Sequence, residues 1–135
     1  MRDDARWHAA RLARQLNDAV GAAARLRGLL STREVAFGTG SYFSIWLDNA
    51  QLELGRVLRD DLHQTVNAAD TFAQLLKDYP ASALRDDALF EIAATLHGST
   101  DANLRQRGCA AWARLQREFP DSKYLQRAAE VEPCR

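Results

Sequence analysis

The sequence predicts an all-α fold, a stack of antiparallel helix hairpins forming an α-solenoid of about three repeats closed by a C-terminal capping helix. Three observations carry that prediction. Residues 72–82, FAQLLKDYPAS, and 112–122, WARLQREFPDS, align without a gap at a separation of 40. The alignment pairs Phe72 with Trp112, Leu75 with Leu115, Tyr79 with Phe119, Pro80 with Pro120 and Ser82 with Ser122, and a fixed period of this size marks stacked helical units. Apolar residues also recur at helical spacing, and no run alternates with period two as a half-buried strand would. Finally, Pro80, Pro120, Gly98 and the FGTGS run at 37–41 fall between the periodic segments and punctuate them.

Taken in order, the first helix covers about residues 6–16, with Trp7, Ala10, Leu12, Ala13 and Leu16 as its apolar positions. Asp3 and Asp4 stand in front, where acidic side chains cap free amides and meet the positive end of the helix dipole. A second helix covers about 18–30, capped by Asn17 or Asp18, and its Ala22, Ala23, Ala24 run admits a close neighbour. These two form repeat one, about 3–36. The FGTGS run at 37–41 has the densest glycine in the chain, and residues 37–45 are expected to be a linker that breaks the preceding helix. Repeat two, about 46–80, holds a helix from Trp46 to Leu58 opened by Asp48 and another from Thr65 to Tyr79 that Pro80 stops. Repeat three, about 84–120, holds a helix from Asp87 to Leu96 ending at Gly98 and one from Asn103 to Phe119 stopped by Pro120. A capping helix covers about 122–132.

The chain has 135 residues, enough for one domain that buries well over half of its unfolded surface without metals or staples. Its 18 basic and 18 acidic residues balance to zero, which argues against a nucleic-acid or membrane-surface footprint. Lys77 and Lys123 are the only lysines, so arginine supplies nearly all the positive charge. No stretch of 18 apolar residues could insert in a membrane, and the charged amphipathic N-terminus has no apolar signal core. The expected location is the cytoplasm, or the bacterial periplasm or outer-membrane surface if an export signal precedes the segment.

The endings Tyr79-Pro80-x-Ser82 and Phe119-Pro120-Asp121-Ser122, and the openings Asp87-Ala88-Leu89 and Asn49-Ala50-Gln51-Leu52-x-Leu54-Gly55, resemble the tetratricopeptide repeat family. Within it, the chain is most similar to the bacterial envelope branch represented by BamD and CpoB. The family places small residues where paired helices touch, matched here by Gly55, Ala68, Ala93 and Gly108, and large ones between hairpins, matched by Phe72 and Trp112. The first hairpin keeps Ala10, Ala22 and Leu26 but has Ser31-Thr32-Arg33-Glu34 in place of the proline ending. The resemblance implies a right-handed superhelical stack whose concave wall is lined by the first helix of each hairpin.

Projected onto this chain, the implied wall reads Asp4, Trp7, Arg11 and Arg14, then Asn49, Leu52, Arg56 and Arg59, then Asp87, Phe90, Ala94 and His97. An apolar row of Trp7, Leu52 and Phe90 flanked by four arginines suits a peptide or chain terminus with apolar and acidic residues, because guanidinium holds carboxylate in a planar fork. The competing account is a solvated helix face in an arginine-rich protein, and both stand at this point. The remaining aromatics, Phe72, Trp112, Tyr79 and Phe119, are assigned to packing between hairpins.

No catalytic constellation emerges. His8, His63 and His97 have no metal-ligand spacing with other donors, and FGTGS lacks the lysine and context of a phosphate loop. The pairs Asp3 and Asp4, Asp60 and Asp61, and Asp86 and Asp87 sit at helix ends, where capping accounts for them. No catalytic residue, metal or cofactor is expected. Cys109 and Cys134 fall 11 residues before and 14 after Pro120, so antiparallel helices return them to similar height. A disulfide is one outcome and two unbridged thiols the other. The expected function is a non-catalytic scaffold or adaptor binding a protein or peptide, in a bacterial cell-envelope assembly. The alternative is a structural or regulatory module that packs against other domains of a longer protein or forms a homo-oligomer.

Overall fold

The computed structural model describes residues 3–39, 47–132 and 134, with backbone alone at 3–4 and 32–39. Among them every regular element is helical: α1 (Asp3–Gln15), α2 (Ala19–Thr39), α3 (Leu47–Arg56), a π-helical turn (Val57–Asp61), α4 (Thr65–Asp78), α5 (Arg85–Leu96), α6 (Ala102–Glu118) and a 3₁₀ segment (Lys123–Val131). The all-α prediction therefore holds. The chain divides into two compact units, Met1–Ala68 and Ala69–Arg135.

In the first unit, α1 ends in a Schellman motif with Asn17 in the left-handed region (φ 62). The amides of Asn17 and Asp18 donate to the Arg14 and Ala13 carbonyls at 3.0 and 2.8 Å, which satisfies backbone groups that a helix end leaves orphaned. Asp18 then caps α2, accepting from the Gly21 amide at 3.0 Å. Trp7, Ala10 and Ala13 of α1 are buried with Ala22, Ala23, Leu26 and Leu29 of α2. Burial of each large side chain contributes about 1.5–3 kcal/mol. Leu47, Ala50, Leu54, Val57 and Leu58 are also buried, and α3 and the π turn pack on α2.

Three expectations need correction here. α2 runs on to Thr39, so Phe37, Gly38 and Thr39 are helical rather than linker. One glycine inside a helix costs only about 1 kcal/mol, and no proline stands in its path to stop it. Gly40 to Trp46, the rest of the expected linker and the start of the third helix, lie outside the described residues. Leu12 and Leu16, expected on the apolar face of α1, are 55% and 70% exposed. They belong to a second stripe, rotated away from Trp7, Ala10 and Ala13. The third expected helix ends as a π turn, in which the Leu62 amide donates to Val57 carbonyl at 3.1 Å, an i to i−5 bond. His63, at φ 57, terminates it.

In the second unit, the two matched endings are built from the same bonds. Tyr79 and Phe119 amides donate to Leu75 and Leu115 carbonyls, both at 2.9 Å, and Ser82 and Ser122 amides donate to Tyr79 and Phe119 carbonyls, both at 3.0 Å. The Ser82 and Ser122 hydroxyls then accept from the amides two residues on, Leu84 and Tyr124. Proline disfavours helical backbone at the residue before it, and Phe119 is accordingly at φ −131, ψ 64. The Asp101 carboxylate caps α6 by accepting from the Asn103 and Leu104 amides. Phe72, Leu75, Leu89, Phe90, Leu96, Trp112 and Leu115 form the buried set, with Tyr124 and Val131 added by the terminal segment. Tyr79 and Phe119, assigned to packing, are half-buried. The capping element differs in kind from an α-helix: it is 3₁₀, broken at Arg127 (φ −100, ψ 28).

Candidate binding surface

The residues assigned to a wall on α1 and α3 are present, in a different electrostatic state from the expected one. Trp7 and Leu52, the apolar row of this unit, are only 6% and 4% exposed, so they act as core. Arg11 is exposed and lies over the Trp7 ring, 5.8 Å from its centroid. Asn49 and Arg56 are half-buried.

Arg14 is a hub. Its Nε donates to Asp61 Oδ2 at 2.8 Å, Nη1 donates to Glu53, and Nη2 lies 3.5 Å from Asp60 Oδ2. Burial alone would weaken its charge, but the bonds to Asp61 and Glu53 outweigh it and hold the guanidinium above its ordinary pKa. Arg59 forks onto Asp60 at 2.7 and 3.2 Å. That fork, aided by the positive charges of Arg14 and Arg56, holds the Asp60 carboxyl below its usual value against the effect of burial. The expectation of an open arginine row is thus corrected at Arg14 and Arg59, which are neutralised by carboxylates from α3 and the π turn. Asp60 and Asp61 are arginine partners rather than helix caps. These contacts span 39 and 47 residues of sequence for Glu53 and Asp61, beyond any local spacing rule; the DD pair beside a row of arginines was the only available signal.

On α5, Asp87, Phe90 and His97 meet the chain's own C-terminal segment. The Tyr124 hydroxyl donates to Asp87, and the Tyr124 ring stacks on Phe90 at 4.6 Å with 15° between planes. Phe90 is 1% exposed and meets Trp112 edge-on at 6.5 Å. His97 donates from Nδ1 to the Glu132 carbonyl. Ser122 Oγ donates to Asp86 Oδ2 at 2.9 Å, so Asp86 and Asp87 receive hydroxyls as well as opening a helix. Ala94 is half-buried, and the Asp3 and Asp4 side chains lie outside the described residues. Cys109 and Cys134 form a disulfide with Cα atoms 4.9 Å apart.

Sequence reasoning missed the exposed apolar residues. Leu16 and Val20 flank the turn between α1 and α2 at 70% and 71% exposure, with Leu12 one turn before Leu16. The signal was a helix with two apolar stripes, only one of which can face its partner. Among the described residues no group of three or more His, Cys, Asp or Glu could hold a metal ion, and no helix is long and apolar enough to cross a membrane.

No curated protein and no solved structure matches the chain. Residues 49–82, which run from α3 through the π turn and α4 to the first proline ending, match the sequence profile of the tetratricopeptide repeat family. Among the described residues all regular structure is helical, and the ending of that segment recurs bond for bond 40 residues later, in keeping with a segment similar to that repeat.

Proposed function

We propose that the chain is a non-catalytic interaction module that binds a segment of a partner protein along α1 and α3 of its first unit. The observation that carries this reading is the tetratricopeptide match over 49–82, a repeat that generally mediates protein–protein contact. With Arg14 and Arg59 engaged by carboxylates, preference for an acidic partner rests on Arg11, exposed beside Trp7. The module belongs, in this proposal, to a bacterial cell-envelope assembly in the periplasm, like the branch that its sequence resembles. The Cys109–Cys134 bridge supports that placement, since disulfides persist in oxidising compartments.

The test is recovery of a partner from the native source on immobilised protein, with the variant Arg11→Glu beside it. The expected result is a partner recovered with the parent chain and reduced about tenfold or more with the variant, a coupling of about 1.4 kcal/mol or more, while the melting temperature stays within about 2 °C. Equal recovery with both proteins would remove Arg11 from the contact.

A second reading, packing against other domains of a longer protein or against a second copy, is favoured by the exposed Leu12, Leu16 and Val20. Self-association through them would give a solution mass that rises with concentration and stays monomeric in Leu16→Ser, Val20→Ser.

A further inference from the structure

The segment Lys123–Val131 lies against α5 and α6, and the chain is tied at both ends of it. At its start are the Ser122 bond to Asp86, the Tyr124 bond to Asp87 and the Tyr124 stack on Phe90. At its end are the Glu132 carbonyl bond to His97 and the Cys109–Cys134 disulfide. Between them the hold is thin. Of the nine residues Lys123–Val131 only Tyr124 and Val131 are buried, and the helix is 3₁₀ with a break at Arg127. Arg127 sits 4.5 Å over the Phe90 ring, but it is exposed and bonded to Glu130 of the same segment.

Two buried side chains return little of the conformational entropy lost in ordering nine residues. A covalent tie at the far end changes that balance, because it removes most of the freedom that the released segment would gain. The face beneath is also distinctive. Asp87, Phe90 and His97 form one row along α5 and all three contact this segment. Phe90, at 1% exposure, owes part of its cover to Tyr124. Beneath them α5 and α6 pack on each other, and Leu89, Leu96, Trp112 and Leu115 on these helices are buried.

We propose that the segment Ser122–Cys134 is a redox-controlled latch over the Asp87, Phe90, His97 face of α5. A dithiol reductant passes two electrons to the Cys109–Cys134 bond; that bond breaks, each sulfur takes a proton, and the dithiol closes to its own disulfide. The terminal segment then leaves α5, Phe90 becomes exposed between Asp87 and His97, and the α5 and α6 pair stays folded. The proposal stands apart from any partner, since it concerns only what the chain does to itself.

The test is hydrogen exchange of the full chain with and without dithiothreitol. Cys109 and Cys134 are the only cysteines, so the reagent acts at a single bond. Exchange in peptides covering 123–131 should rise about tenfold or more on reduction, while peptides covering 85–118 change by less than about twofold, the pattern of local rather than global opening. Cys134→Ser should show the reduced pattern without reductant and no response to it. Unchanged exchange in 123–131 would overturn the latch. So would a matching rise across 85–118, which would make the bridge a clamp on the whole unit.

Discussion

Trp112 is the largest fully buried side chain among the described residues. It is 1% exposed, meets Phe90 edge-on, and its indole N–H has no acceptor among the described residues. Two terms therefore pull in opposite directions: a large apolar volume that stabilises and an unpaired buried donor that costs about 1–3 kcal/mol. Trp112→Ala loses the volume and should destabilise by about 3–5 kcal/mol in urea unfolding. Trp112→Phe keeps most of the volume and removes the orphan donor, so its loss should stay below about 1.5 kcal/mol. A Phe variant as damaged as the Ala variant would show that the N–H is satisfied by ordered water. At this scale the core aromatics were legible, because Phe72 and Trp112 occupy the same place in a repeated string. Leu12 and Leu16 were not, because helical spacing alone does not say which of two stripes faces the neighbour. Nor was the Arg14 hub, whose partners are brought together only by the folded chain.

Helix existence was legible throughout, and helix endings were legible wherever a proline or a capping side chain wrote them locally. Pro80, Pro120, Asp18, Asp101 and Ser122 each end or begin an element where their chemistry requires it. Where no proline or capping side chain stands, the sequence misplaced the ending: α2 passes through Gly38 to Thr39, and α3 widens into a π turn. That turn has a consequence, since it places Asp60 and Asp61 together against Arg14. The contact between α5 and α6 is written by a small residue. A β-carbon on Gly108 would stand 2.9 Å from Leu96 Cβ and 3.0 Å from the His97 amide nitrogen. Backbone cannot yield as a side-chain tip can, so α6 would have to move off the end of α5. Gly108→Ala should lower stability by about 1–3 kcal/mol in chemical unfolding, against the gain of up to about 1 kcal/mol that the same change gives in an open helix. A neutral or stabilising result would mean that the two helices can separate without loss.

Across the whole molecule the charges balance at 18 and 18, and among the described residues several are paired: Arg14 with Glu53, Asp60 and Asp61, Arg107 with Asp70, Arg85 and Arg114 with Glu118, Arg127 with Glu130. Exposed pairs contribute little, because water and salt screen them, so no single one decides stability. Their shared direction does. Asp60 is held below its usual pKa chiefly by the bond from Arg59, Glu118 by that from Arg114, and Glu130 by that from Arg127. A carboxyl whose folded pKa lies below its unfolded one adds stability above the unfolded value, and that stability drains as pH falls through the folded value. Arg14, shifted upward, stays charged throughout this range and contributes no slope. The urea midpoint should therefore be flat from about pH 8 to 5.5 and fall once pH drops below about 4, the ordinary carboxylate range. Asp60→Asn, Glu118→Gln should start lower at neutral pH and lose less on acidification. Salt at about 1 M, where the screening length shrinks to about 3 Å, should narrow the gap between parent and variant. Equal parent midpoints at pH 7 and pH 3 would mean that these pairs survive unfolding or contribute nothing to the fold. The Cys109–Cys134 bridge must be kept oxidised in every arm, because its loss would add a reduction-dependent change with no pH dependence of this sign.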